Sequence, residues 1–166
     1  MMMRFYRQLN AYFEKRPEKD KTLRRMGKSL TGTFYLAYTG LCIGLLLTDR
    51  KKLVRVLAVP IACFSTGSLI RAAINAPRPA DMMPEIHRDG AKRGGKSFPS
   101  RHCFSAAVIA AAFAWINPCV GAAAAVAAMA MAVQRVLEGE HFIRDAAAGL
   151  LYGAVFGWLG FFLKKR

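Results

Sequence analysis

Three short segments of this chain carry the residue types that can do chemistry together. They are RAAINAPRP from Arg71 to Pro79, PSRH from Pro99 to His102, and QRVLEGEHFIRD from Gln134 to Asp145. Each lies beside an apolar stretch, and together they gather arginines, histidines, a serine and an aspartate. Arginine is costly near a bilayer, so several arginines beside histidines indicate an anionic ligand such as a phosphate, and a reaction upon it.

The third segment offers a nucleophile and its support. His141 and Asp145 are four residues apart, so on a helix they share a face and can form a hydrogen bond. A carboxylate on one imidazole nitrogen fixes the tautomer and makes the other nitrogen more nucleophilic. Arg135 can supply a fork of donors to phosphate oxygens, and Gly139 allows the backbone to turn between Arg135 and His141.

The first two segments offer phosphate ligands and an acid. Ser100 suits the N-cap of the following helix, where free N–H groups favour an anion. His102 would then stand beside that anion, where it can act as general acid for the leaving oxygen. Arg71 and Arg78 flank a turn that contains prolines, and their guanidinium groups can neutralise the charge that develops in phosphoryl transfer.

Each of these residues also has a simpler interpretation. A single arginine at a membrane edge, such as Arg55, is commonly an anchor whose side chain reaches the interface. Ser100 alone can be only a helix cap. The HxxxD pair can belong to a metal site, but it lacks further ligands, and His87 lies in a loop of undefined geometry. The co-occurrence of these residues, rather than any one of them, favours a cationic phosphate site.

The composition indicates a membrane protein. Hydrophobic residues make up 54% of the 166 residues, while the formal net charge is +15. The charges fall in short runs between long apolar stretches, as in membrane proteins with basic loops. No basic stripe is interleaved with exposed aromatic residues, which argues against a nucleic-acid partner. The cysteines form no CxxC pair and are expected to be small buried hydrophobes; they are Cys42, Cys63, Cys103 and Cys119.

The apolar stretches predict an all-α fold, an integral membrane helical bundle that forms a single domain over residues 1–166. A spanning helix needs about 20 mostly apolar residues, and about five stretches approach that length. The predicted spans are Leu30–Thr48, Leu53–Ile70, Cys103–Ile116, Cys119–Val133 and Ala146–Leu163. Gly149, Gly153 and Gly157 in the last span form a face for close packing, expected against the alanine-rich fourth span.

Residues 1–29 form a basic segment ahead of a helical core of residues 30–166. The apolar side chains of its first half fall on one helical face; they are Phe5, Leu9, Tyr12 and Phe13. This pattern predicts an amphipathic helix that lies in the lipid headgroup region or docks on the protein's own loops.

The parity of five spans places the three segments on one membrane face. The first segment follows the second span and the second precedes the third span, so the two share a side. The Asn117-Pro118 turn lies on the other side, and the fourth span returns the chain to the third segment. The nine Lys and Arg residues before Leu30 would put this face in the cytoplasm by the positive-inside rule. Further cationic residues near the segments can serve ligand binding instead, so the sidedness stays open.

The three segments together resemble the signature of the type-2 phosphatidic acid phosphatase superfamily. This chain reads RxxxxxxRP, PSRH and QRxxxxxHxxxD, where the family pattern is KxxxxxxRP, PSGH and SRxxxxxHxxxD. The spacing within every motif matches, over the region from Arg71 to Asp145. The superfamily includes bacterial lipid phosphatases and polyprenyl diphosphate phosphatases, together with glucose-6-phosphatase and vanadium haloperoxidases.

The resemblance implies a metal-independent phosphatase without a cofactor, acting on a lipid phosphate or polyprenyl diphosphate in the bacterial cytoplasmic membrane. His141 would form a phosphohistidine, Asp145 would orient it, and His102 would protonate the leaving group. The implied phosphate ligands are Arg71, Arg78, Ser100 and Arg135. Arg101 replaces the family's glycine, and its side chain would point away from the phosphate or add a cationic contact, for example to a diphosphate.

Two other functions are compatible with parts of this pattern. A non-catalytic membrane protein that binds or transports phospholipid headgroups could use the arginines for recognition alone. The complete set of acid, nucleophile and orienting carboxylate argues against it. A haloperoxidase would use the same site for vanadate, but those relatives are generally soluble, whereas this chain carries long apolar spans.

Overall fold

The computed structural model describes residues 2–83 and 92–163, and these residues form six α-helices and no strand. The helices are α1 Met2–Glu14, α2 Pro17–Thr48, α3 Arg50–Ile74, α4 Arg101–Ile116, α5 Pro118–Leu137 and α6 Ile143–Phe161. The predicted all-α class is confirmed. His87, the residue considered for a metal site, lies outside the described residues.

Several helices present the surface of a membrane protein. Within the described part of the chain, α2, α3 and α5 are long and apolar enough to cross a bilayer, judged by length and composition. Large apolar side chains point outward from the bundle, among them Leu36, Leu47, Leu69 and Leu151, each at least 66% exposed. Such a continuous apolar exterior is stable against lipid and not against water.

The central helix of the bundle is α4, which packs against α3, α5 and α6. It has 16 residues, fewer than a lipid-exposed span needs. Its side chains from Val108 to Ala110 are buried against neighbouring helices. Because protein surrounds it, α4 can begin directly at the functional segment and still satisfy its backbone polar groups.

The second helix begins well before the predicted apolar span. It starts at Pro17 and not at Leu30, so the predicted start is wrong. Proline suits the first helical position, and Glu18 and Asp20 in the first turn favour the positive end of the helix dipole. The basic half of α2 therefore stands as a helix above the apolar half, and it lines one side of the functional cavity described below.

The glycine face of α6 packs on α4 and not on the alanine-rich α5, so the predicted partner is wrong. A β-carbon added at Gly153 would lie 2.3 Å from the carbonyl oxygen of Phe104, and one at Gly149 would lie 2.6 Å from that of Ser100. Glycine at these positions lets the two backbones approach closely. The approach brings the PSRH segment against the start of α6.

The first helix docks on the protein through Tyr6. This side chain is fully buried, its ring meets Phe142 edge-on at 5.1 Å, and its hydroxyl accepts the N–H of Ile143 at 2.7 Å. Phe5 and Tyr12, which belong to the predicted apolar face, remain 43% exposed. The docked side of α1 is therefore offset from the face that the sequence pattern indicates, and its aromatic residues remain outside.

The turn between α4 and α5 lies where the sequence predicts it. The Asn117 side chain accepts hydrogen bonds from two N–H groups in the first turn of α5. This turn leaves Cys119 exposed, so the expectation of a buried thiol is wrong there. Cys63 and Cys103 are buried as expected, and Cys42 is half-buried.

Candidate active site

The three segments meet at one end of the bundle, as the parity of the spans predicts. Arg71 lies in the last turn of α3 and is 7% exposed. Its guanidinium donates to the backbone carbonyls of Ser97 and Pro99. The N–H of Ser100 donates to the carbonyl of Asp145 at 2.8 Å. The first segment thus holds the second, and the second contacts the third.

His141 lies in the turn between α5 and α6, whereas Asp145 lies in the first turn of α6. Gly139 makes this turn possible with a φ of 72°, a left-handed conformation that favours glycine. The two side chains therefore do not share a helical face, and the Ser97 hydroxyl stands between them. Its Oγ is 3.2 Å from His141 Nδ1 and donates to Asp145 Oδ2 at 2.6 Å. The expected direct contact is replaced by this link.

The environment of His141 keeps its imidazole neutral. The side chain is 2% exposed. Burial, followed by the positive charges of Arg78 and Arg71, lowers the pKa of His141 to about 2. A neutral imidazole with Nδ1 facing Ser97 keeps a lone pair on Nε2, as a nucleophile requires.

Arg78 is held beside His141 by neutral acceptors. Its Nε donates to the carbonyl of Gly95 at 2.9 Å, and its Nη1 donates to the carbonyl of Glu140 at 3.2 Å. The Asp81 carboxylate closes the same loop by accepting the backbone N–H groups of Arg78, Gly94 and Gly95. Burial lowers the pKa of Arg78, against the opposing charges of Glu140 and Asp81.

An open cavity of about 460 Å³ lies over these arginines. Its cationic lining residues are Arg71, Arg78, Lys92, Arg93, Lys96 and Arg101. Arg101 is exposed, and its guanidinium carbon lies 5.8 Å from the centre of the Phe64 ring. The Arg101 side chain thus adds a positive charge to the lining of this cavity.

Arg135 sits among carboxylates. Its Nη1 is 2.9 Å from Glu138 Oε2 and 3.5 Å from Glu140 Oε2, and its Nη2 donates to Thr31 Oγ1 at 3.0 Å. Its Nε is buried without a hydrogen-bond partner. Most of the donors of Arg135 are therefore engaged with other residues of the protein.

A second open cavity, of about 510 Å³, lies on the Arg135 side of the site. His102, Arg135 and both glutamates line it, together with Arg24 and Lys28 of α2. Lys92 lines both cavities and therefore marks where they adjoin. His102 thus lines the second cavity, whereas Arg71 and Arg78 line the first.

Ser100 precedes α4 and is completely buried. Its hydroxyl forms no cap hydrogen bond, and among the described residues Oγ has no nitrogen or oxygen partner, with the weakly bonding thiol of Cys103 beside it. The expected side-chain cap is therefore absent. A buried hydroxyl without a partner costs about 1–3 kcal/mol, so its position favours a ligand oxygen as the missing partner.

Four residues of the site were not anticipated: Ser97, Asp81, Glu138 and Glu140. Ser97 lies two residues before the PSRH motif, and no rule of sequence spacing links a hydroxyl at that position to a histidine 44 residues later. The two glutamates could have been noticed, because a pair of acids between the motif's arginine and histidine is chemically unusual beside a phosphate. Among residues 2–83 and 92–163, no group of three His, Cys, Asp or Glu side chains is placed to hold a metal ion.

Fold and site define a membrane-embedded helical protein with a cationic histidine centre. A family model described as the PAP2 superfamily matches residues 51–165, and the chain belongs to that superfamily. A crystal structure described as a transmembrane PAP2-type phosphatidylglycerolphosphate phosphatase from Bacillus subtilis has the same fold. It aligns with a TM-score of 0.51 and 21% identity, covering 96% of this chain and 92% of that one. No curated protein sequence matches this chain.

Proposed function

We propose that this membrane phosphatase hydrolyses a lipid phosphate through a phosphohistidine on His141, without a metal ion. The observation that carries the proposal is a buried, neutral His141 beside Arg71 and Arg78, at the end of an apolar helical bundle. An amphiphilic substrate can present its phosphate to this site while its tail stays in lipid. The arginines supply the positive charge that phosphoryl transfer needs.

In the first step, His141 Nε2 attacks phosphorus. Burial, followed by the charge of Arg135, lowers the pKa of His102 to about 4, so the negative charge of the substrate has to bring it into its protonated form. The Nε2–P bond then forms as the bond between phosphorus and the leaving oxygen breaks, and protonated His102 gives that oxygen its proton. Arg71, Arg78 and the hydroxyl of Ser100 bind the non-bridging oxygens. In the second step, His102 takes a proton from a water molecule, which attacks phosphorus and breaks the Nε2–P bond to release phosphate.

The substrate class we favour is a diphosphate on a long apolar chain, such as a polyprenyl diphosphate. Arg101 and Lys96 of the first cavity extend the positive charge beyond the arginines that surround one phosphate. A second phosphate group would find its partners there. The structural relative carries the name of a phosphatidylglycerolphosphate phosphatase, so that monoester is the competing substrate. We place the enzyme in a bacterial cytoplasmic membrane on the family's usual location.

The experiment is phosphate release by the purified protein in detergent with EDTA present. The panel comprises undecaprenyl diphosphate, phosphatidate and phosphatidylglycerolphosphate, each with wild type and His141→Ala. We expect release by wild type, fastest on the diphosphate, and none by the variant.

Binding of these lipids without turnover by wild type would instead support a headgroup-binding or transport protein. Full activity in His141→Ala would refute the phosphohistidine route. Equal loss of the diphosphate and monoester activities in Arg101→Gly would refute the diphosphate preference, because that variant should lose the diphosphate activity selectively.

A further inference from the structure

Ser97 lies between the candidate nucleophile and its carboxylate, and its backbone is held on both sides. Its N–H donates to the carbonyl of Ala76 at 2.8 Å, and its own carbonyl accepts from Arg71. The residue is completely buried. The position of its backbone is therefore set by the loop that joins the first two segments.

The hydrogen-bond chemistry of this hydroxyl leaves one arrangement of protons. A hydroxyl has one proton, and a carboxylate only accepts. At 2.6 Å, Ser97 Oγ donates that proton to Asp145 Oδ2. The remaining contact, 3.2 Å from Oγ to His141 Nδ1, is then a hydrogen bond in which Nδ1–H donates to the serine oxygen, and the backbone carbonyl of Ser97 is a second acceptor for the same ring. Nε2 is consequently the unprotonated nitrogen.

We propose that Ser97 is a positioning residue that couples Asp145 to His141 and sets the tautomer of the nucleophile. The inference rests on the proposed function, in which Nε2 attacks phosphorus. In most histidine–carboxylate pairs the two groups touch; here the carboxylate acts through an intervening hydroxyl.

The link has a defined part in the reaction. When the Nε2–P bond forms and the bond from phosphorus to the leaving oxygen breaks, positive charge develops on the imidazole. The hydrogen bonds from Nδ1–H to Oγ and from Oγ–H to the carboxylate stabilise that charge, and no proton is transferred along them. When water later displaces the imidazole, the electron pair of the Nε2–P bond returns to Nε2.

A double-mutant cycle tests the coupling. Ser97→Ala should lower kcat roughly 10- to 100-fold with little change in KM, because Ser97 does not contact the phosphate. Asp145→Asn should cost much less in the Ser97→Ala background than in wild type, since its effect passes through the serine. Ser97→Thr, which keeps the hydroxyl, should recover much of the activity, and the exposed Ser65→Ala is the matched control. Independent, additive losses would overturn the proposal.

A second readout does not depend on turnover. The chain has three histidines, so nitrogen-15 NMR of labelled protein in micelles can assign the tautomer of each. Wild-type His141 should be protonated on Nδ1, and Ser97→Ala should populate the other tautomer. Asp145→Asn should shift the tautomer too, and it carries the test if Ser97→Ala does not fold. An unchanged His141 spectrum in the folded variants would overturn the coupling, whereas an Nδ1-protonated, serine-dependent His141 in an inactive protein would refute only the proposed function.

Discussion

Arg78 and Arg135 serve the same site but are held by opposite kinds of partner. Arg78 donates to the backbone carbonyls of Gly95 and Glu140. Arg135 donates to the side-chain carboxylates of Glu138 and Glu140, which are 3% and 5% exposed. A carbonyl orients a guanidinium and leaves its charge in place, while a buried carboxylate largely cancels it.

The different partners of Arg78 and Arg135 show that the position of an arginine in a motif does not by itself define how much of its positive charge acts on the substrate. The guanidinium groups of the first segment are held by backbone carbonyls, and the carboxylates near them act only through their charge. Arg135 has Nε left for a phosphate, but its Nη1 can bind one only by giving up a carboxylate. We therefore expect the first-segment arginines to dominate transition-state stabilisation and Arg135 to act as an adjustable contact.

The largest effect should come from Arg78→Ala. Among the described residues, the Arg78 guanidinium donates to backbone carbonyls, while the charges of Glu140 and Asp81 act on it without a direct hydrogen bond. Removing one preorganised donor from a developing anionic centre commonly lowers kcat about 100- to 1,000-fold. Phosphate release from a lipid phosphate measures it, with Arg50→Ala, exposed at the start of α3, as the matched control. A loss below tenfold in a folded variant would contradict the comparison.

A smaller effect is expected from Arg135→Ala. The charge-assisted hydrogen bonds to phosphate replace bonds to glutamate of similar strength, so their net contribution to kcat/KM is on the order of tenfold. The same assay measures it, beside thermal unfolding to detect the instability of two glutamates left without their arginine. If the loss of activity in Arg135→Ala equals or exceeds that in Arg78→Ala at equal stability, then the partners of the two arginines do not decide how much each contributes to catalysis.

Glu138→Gln should strengthen phosphate binding. The amide releases Arg135 from its shortest ion pair, and we expect the inhibition constant of inorganic phosphate to fall on the order of fivefold, about the strength of one competing ion pair. Glu140→Gln is the less informative variant, because Glu140 also pairs with Lys92. Weaker phosphate inhibition in Glu138→Gln would show that the glutamate orients Arg135 rather than competing for it.

The competition between Glu138 and phosphate for Arg135 predicts that phosphate affinity depends on pH. Burial raises the pKa of Glu138, with Arg135 opposing; for Glu140, burial raises the pKa but the charges of Lys92 and Arg135 lower it overall. As pH falls, Glu138 becomes neutral first, and this protonation stabilises the folded chain. The stability contributed by Glu140 persists until pH falls through its lowered pKa. As pH falls from neutral towards the ordinary glutamate pKa of 4.5, the affinity of wild type for phosphate should therefore rise. The rise should exceed the change that the titration of phosphate itself causes. Glu138→Gln should show only the change that comes from phosphate.

The smallest effect should come from Lys92→Gln. The Lys92 side chain is 55% exposed and lies 3.2 Å from Glu140 Oε1, and exposed ion pairs contribute about 0–1 kcal/mol. We expect less than about a twofold change in kcat at physiological salt. A change as large as that of Arg135→Ala would mean that Lys92, where the two cavities adjoin, binds substrate directly.

Much of the fold could be predicted because lipid imposes simple rules. An apolar stretch must be a helix, and the number of crossings decides which loops share a face. The start of α2 at Pro17 could not be predicted in this way, because a search for apolar stretches detects only the part of a helix that lies in lipid. The packing of Gly149 and Gly153 on α4 also escaped it, since a small-residue face indicates close packing without naming its partner.

The site was predictable only where its residues act within one segment. His141 and Arg78 follow from spacing and charge. Ser97 does not, because it reaches His141 from a loop that the sequence separates from it. The engagement of Arg135 depends on Glu138, which occupies an unconstrained position of the motif. Three-dimensional contacts between segments decide these features, and no pattern within one segment reports them.

The central claim, attack by His141, is tested most directly by trapping the intermediate. Protein turning over a lipid phosphate that carries a radioactive phosphoryl group is quenched in alkali, where phosphohistidine survives, and the labelled peptide is sequenced by mass spectrometry. The account predicts label on His141 in wild type and none in His141→Ala. Label on another residue, or steady-state turnover by wild type without any labelled histidine, would contradict it.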